Sequence, residues 1–160
     1  MQRAEFRSSL GTLHSAPCRS MPRSALPLRS APILHLALVI SSLTVAGVFW
    51  YLRGGVPIAL FPGSARMLSY AAYAATAAFL IAATVIKNQI ANPARGDDVV
   101  EWWASNGTMV LLLWILGEAA CCLGSVLWFL TDNQLVLICL GGTGLLILAA
   151  YRPSKLLASV

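Results

Sequence analysis

Charge is what this sequence lacks most. Asp, Glu, Lys and Arg together make up 11% of its 160 residues, against about 25% in a typical soluble chain, and only six of them are acidic. Too few polar side chains remain to cover a water-facing surface. A soluble enzyme, a nucleic-acid-binding domain and a solvated disordered chain are therefore excluded. Cysteine is scarce as well: Cys18, Cys121, Cys122 and Cys139 fit neither a disulfide framework nor a paired C-x-x-C zinc site. The nucleophile-elbow, phosphate-loop, zinc-protease and dinucleotide motifs are missing, and no catalytic residue is assigned. Nor does the chain alternate lipid-facing and lumen-facing residues as a transmembrane barrel must.

What the chain has is apolar length. Hydrophobic residues reach 58%, and the mean hydropathy is +0.75. A helix needs about 20 apolar residues to cross the hydrocarbon core. Four stretches approach or meet that length: residues 32–52, 67–86, 108–130 and 134–151, the last being the shortest. In lipid every backbone polar group must pair within its own element, so these runs are read as helices. The expected fold is all-α, a polytopic membrane protein with a four-helix transmembrane bundle over residues 32–151. A basic disordered tail or targeting segment is expected at 1–31, and a short cytoplasmic tail at 152–160.

Lys and Arg set the orientation. Arg3, Arg7, Arg19, Arg23 and Arg29 precede the first run, Lys87 and Arg95 lie in the second loop, and Arg152 and Lys155 follow the last run. Only Arg53 and Arg66 lie on the other side, which places both termini in the cytoplasm. Trp50, Tyr51, Tyr70, Trp102, Trp103, Trp128, Phe129 and Tyr151 fall near run ends, where amphipathic rings meet headgroups. The first 30 residues hold five Arg, six Ser and one acid, a composition shared by transit peptides and basic cytoplasmic tails. Met21 is an alternative start. Secretory cleavage after Ala46 is disfavoured because the apolar run continues through Trp50. The second loop, residues 87–106, is expected to turn at Pro93, with its Trp102-Trp103 end lying along the membrane surface.

Residues 46–52 (AGVFWYL) align with residues 124–130 (GSVLWFL) at a constant offset of 78. Duplication of a helical hairpin would produce such a match. Convergence of two spans on an aromatic end is the simpler account.

Glu118 is the one acid inside a run. It lies 11 residues into a 23-residue stretch, within about 3 Å of the midplane at 1.5 Å per residue. An acid at that depth costs at least about 2.5 kcal/mol on insertion, and hydrocarbon favours its neutral form. Ser41, Ser42, Thr44, Thr76 and Thr143 lie at matching depth. Glu118 is expected to face inward and to hydrogen-bond to some of these hydroxyls. It would serve either as a proton or cation site or as a neutral acid that pins helix register. Cys121, Cys122 and Cys139 are read as small packing residues and not, with His35, as a metal site: adjacent residues point about 100° apart on a helix, and His35 belongs near the cytoplasmic edge. Asp97, Asp98 and Glu101 are read as a solvated loop face.

Small residues recur at helical spacing. Ala71, Ala74, Ala75, Ala78 and Ala82 mark the second run, Gly117, Ala120, Cys121 and Gly124 the third, and Gly141, Gly142 and Gly144 the fourth. Small side chains let backbones approach closely, which drives helix association in lipid. Ala71, Ala75, Ala78, Ala82, Gly117, Gly124, Gly141 and Gly142 are thus candidates for helix packing, inside one bundle or against a partner.

The stretch from the second run through the third resembles the hairpin of a rotary-ATPase proteolipid c subunit. The likeness rests on the small-residue helix at 71–83, the loop Asn92-Pro93-Ala94-Arg95, and a mid-membrane acid in Leu116-Gly117-Glu118-Ala119-Ala120. It covers about 60 residues. The family's Gly-x-Gly-x-Gly run is absent, and two further runs surround the hairpin. The resemblance implies ion binding at Glu118. The chain also resembles small four-span bacterial membrane proteins. These readings anticipate a multi-pass, non-catalytic subunit or accessory protein associating through small-residue helix faces. The alternative is a proton- or cation-coupled transport component using Glu118. No cofactor, metal or nucleic acid is expected. The expected partners are the lipid bilayer, a second copy of the chain or other membrane subunits. The expected location is a bacterial inner (plasma) membrane, with an organellar membrane second.

Overall fold

A computed structural model describes residues 27–54, 63–91 and 98–157. Most of the basic tail, Met21, Cys18, the turn expected at Pro93, Arg95 and Asp97 lie outside the described residues. Among those described, helices account for all regular structure. They are α1 (Ala31–Arg53), α2 (Ala65–Gln89), α3 (Val99–Thr131) and a fourth helix over Gln134–Ala150. A 3-10 turn at Leu28–Ser30 precedes them and a last turn at Pro153–Leu157 follows. With their preceding or flanking turns, α1, α2 and α3 are long and apolar enough to cross a membrane, whereas the fourth helix is apolar but shorter. Helices of this length and composition belong to an integral membrane protein.

The centre of the fold is α3. Within its apolar window 44% of residues are buried, against 6% for the first helix and 11% for α2. α1 runs parallel to it, since His35 faces Trp114, Phe49 meets Phe129 and Arg53 pairs with Asp132. α2 runs antiparallel, tied near its end by Ala91 to Asn106 and near its start by Ser69 and Tyr73 to Asn133. The fourth helix is also antiparallel, with Gly144 against Gly117 and Gly141 against Gly124. At about 100° per residue these partners take successive faces of α3. One stripe stays exposed: Ala104, Thr108, Leu112, Ile115, Ala119 and Leu123. The helices form an open fan about α3.

Two boundaries depart from the sequence expectation. α3 is 33 residues long and starts at Val99, well before the apolar run begins at residue 108. Asp98 caps it by accepting from the Val100 N–H at 2.9 Å, and Glu101 adds negative charge to the first turn. Trp102 and Trp103 are therefore not a surface segment; both are buried within this helix. The Trp102 indole donates to the Ala91 carbonyl at 2.8 Å. Asn106 accepts from the Ala91 N–H at 2.9 Å and donates to the Trp102 carbonyl at 3.0 Å. Together they satisfy the backbone just beyond the end of α2. The fourth helix is the second departure. It is α-helical at Gln134–Val136 and Gly142–Ala150 but makes a π turn over Leu137–Gly141.

Two residues join α3 to the fourth helix. Asp132 adopts a left-handed φ of 59°, tolerable for a short polar side chain, and its N–H closes α3 on the Trp128 carbonyl at 2.9 Å. Asn133 then caps the fourth helix by accepting from Leu135 N–H at 3.1 Å, and its amide donates to Ser69 Oγ at 3.2 Å and Tyr73 Oη at 3.1 Å. Asn133→Asp keeps the cap and removes both donors, so reversible unfolding in mixed micelles should show a loss of about 1–2 kcal/mol. Asn133→Ala also removes the cap and should cost about 1 kcal/mol more.

Candidate functional site

The closest helix contact is a glycine seam. A Cβ added at Gly124 would lie 2.5 Å from the Gly141 nitrogen and 3.0 Å from its Cα. At Gly144 it would collide with the Gly117 carbonyl and lie 2.7 Å from the Cys121 nitrogen. At Gly117 it would meet Leu148 at 2.9 Å and the Gly144 carbonyl at 3.0 Å. Backbone touches backbone, which only glycine permits. Gly117, Gly124 and Gly141 thus lie at this close approach. Gly142 does not, for a Cβ there meets nothing within 4 Å. Cys121 is buried on the same seam, its thiol 3.4 Å from the Gly141 carbonyl and within reach of the Ser42 hydroxyl. No cluster of metal-ligating side chains occurs among the described residues.

Glu118 sits beside this seam and is half-buried. His35 opposite Trp114 and Ser42 beside Cys121 place it level with the turn of α1 between them. It occupies the edge where the α1-facing side of α3 meets the exposed stripe of Ile115 and Ala119. The Cys121 and Cys122 thiols stand near its carboxyl, and no hydrogen bond joins it to a described residue. The belt of hydroxyls expected around it does not form. Ser42 donates to the Leu38 carbonyl, Thr44 to Ile40, Thr76 to Ala72 and Thr143 to Cys139, each four residues back on its own helix. Ser41 is half-buried without a hydrogen bond to Glu118. Bonding to the residue's own helix is preferred because it needs no second helix to be ordered. Thr76 is remote for another reason: α2 packs on the Leu113, Leu116 and Ala120 side of α3, roughly opposite Glu118.

On α2 the packing face is Ala72, Ala75, Phe79 and Ala83. Ala72 and Ala83 are buried, Ala75 and Ala82 half-buried, and Ala71, Ala74 and Ala78 exposed. The small-residue pattern of the sequence therefore splits into an inner face and an outer one.

Polar groups that spacing did not single out hold the two ends. Trp114 is fully buried, donates its indole N–H to the Tyr151 carbonyl at 2.7 Å, and takes the His35 ring edge-on at 5.0 Å. His35 Nε2 donates to the Leu148 carbonyl at 2.9 Å, which ties α1 to the fourth helix. At the opposite end Arg53 pairs with Asp132 and lies 4.7 Å over the Trp128 ring, while Trp50 stacks on Trp128 at 5.4 Å. Trp50 and Trp128 are matched positions of the 78-residue offset. That offset was the available signal for this contact, because parallel helices bring equivalent positions together. A groove of about 370 Å³ also opens between α1, α3 and the fourth helix, with Ser42, Cys121 and Ser125 among its otherwise mainly apolar lining. No protein-family model, curated protein or solved structure matches the chain.

Proposed function

We propose that the chain crosses the membrane four times with both termini cytoplasmic and acts as a small non-catalytic subunit or accessory protein. Its docking face is the outer side of α2. The observation that carries this reading is the split of the small residues: the glycine seam is consumed inside the fold, whereas Ala71, Ala74 and Ala78 remain exposed. A second helix can approach closely only on such a surface. The positive charge flanking the apolar runs supports the orientation and a bacterial inner membrane as the location. The double variant Ala74→Ile with Ala78→Ile tests the docking face in native-membrane lipid discs. The wild-type particle should contain more protein mass than one 17.0 kDa chain, and the variant should fall to a single chain. A wild type that is already single, or a variant of unchanged mass, overturns the reading.

A second reading, ion-coupled transport, is favoured by the lack of a hydrogen-bond partner for Glu118 among the described residues. The likeness to proteolipid subunits assigns the same role to this acid. A hydrophobic carbodiimide should then modify Glu118 rapidly, and Glu118→Gln should abolish proton or cation flux in proteoliposomes while preserving the fold. Absence of flux in wild-type vesicles, or flux retained by the variant, sinks transport. Under the subunit reading Glu118→Gln behaves as wild type.

A further inference from the structure

The polar cluster at the end of α3 has a feature that the helix packing does not use. Trp128 is 3% exposed, and its indole N–H is buried without an acceptor among the described residues. The same side chain, with Trp50, Arg53 and Gln134, lines a hollow of about 250 Å³. α1 and α3 end at this level and the fourth helix begins there, so the hollow lies where the apolar segments meet the headgroup layer. The geometry points to a binding site for a zwitterionic phospholipid headgroup with a primary ammonium, phosphoethanolamine.

Charge complementarity selects that occupant. Arg53, which lines the hollow, forms an ion pair with Asp132, their side chains 17% and 42% exposed. Arg53 spends one N–H on Asp132 and another on the Trp128 carbonyl at 3.3 Å, leaving further guanidinium donors for a phosphate oxygen. The Trp128 indole supplies one more donor to the same anion. The Asp132 carboxylate has free lone pairs for an ammonium N–H, and the exposed Trp50 ring offers that cation a π face. A headgroup carrying only negative charge would meet Arg53 but be repelled by Asp132. A dipolar one answers both.

The test uses the purified full-length protein, incubated with equimolar phosphatidylethanolamine and phosphatidylglycerol and analysed by native mass spectrometry. The wild type should retain phosphatidylethanolamine by about threefold or more over phosphatidylglycerol, the preference expected of one interfacial ion pair. Trp128→Phe removes a donor to the phosphate that both lipids carry, so it should lower the retention of both and leave their ratio unchanged. Asp132→Asn tolerates the left-handed φ and should shift retention toward phosphatidylglycerol. Unchanged unfolding temperatures confirm that both variants keep the fold; for a variant that melts lower, the same ratio is read at a temperature below its transition. Equal or inverted retention by the wild type, no retained lipid, undiminished retention by Trp128→Phe, or the wild-type ratio in Asp132→Asn each overturn the assignment.

Discussion

Gly124→Ala should destabilise the folded protein by about 3 kcal/mol, the upper range for overpacking by a small group. The added methyl would stand 2.5 Å from the Gly141 nitrogen, 3.0 Å from its Cα and 3.2 Å from the Leu140 carbonyl carbon. All three atoms are backbone, so no rotamer change can relieve the clash and the two helices must separate. Gly142→Ala is the matched control. Nothing lies within 4 Å of its added methyl, and alanine is the better helix former, so its stability should equal or slightly exceed that of the wild type. Reversible unfolding in mixed micelles measures both. Equal stability for the two alanine variants would mean that α3 and the fourth helix are not in contact at Gly124.

The second large effect is expected at Trp114. The side chain is fully buried between His35 and Trp103, with ring separations of 5.0 and 6.2 Å, and its indole occupies the Tyr151 carbonyl. Trp114→Ala leaves a cavity against three helical segments and should cost about 3–5 kcal/mol. Trp114→Phe keeps most of the volume but leaves that carbonyl without its donor, for a loss of about 1–2 kcal/mol. The same unfolding assay separates the two contributions. A neutral Trp114→Ala would show that the His35 side of α1 does not pack on α3.

The apolar runs revealed three of the helices because hydrocarbon demands length, and length is visible in sequence. α1 departs from its run by one residue at each end. The early start of α3 was also legible, in Asp98 followed three residues later by Glu101, a helix-start signature, although the polar stretch to Asn106 resembles a loop. Faces were harder. Ala71 and Ala72 are chemically identical, yet one is exposed and the other buried. A helix surrounded by lipid and protein has no polar side to mark which face turns in. The π turn at Leu137–Gly141 lies where the fourth helix closes on Gly124, a tertiary contact that local sequence does not reveal. Glu118 was found by its depth alone. Depth said nothing of the hydroxyls expected around it, of which Ser42, Thr44, Thr76 and Thr143 donate to their own helices.

Impermeant maleimide labelling decides whether the 17-residue fourth helix crosses the bilayer. At 1.5 Å per residue it spans about 26 Å, just short of the ~30 Å hydrocarbon core, so it can cross where the bilayer thins slightly. Single cysteines at Gln134 and Ser154, in a chain whose native cysteines are replaced by alanine, report its two ends. In intact cells Gln134→Cys should label from outside, and Ser154→Cys only after permeabilisation. Labelling of both from the same side would contradict four crossings around α3.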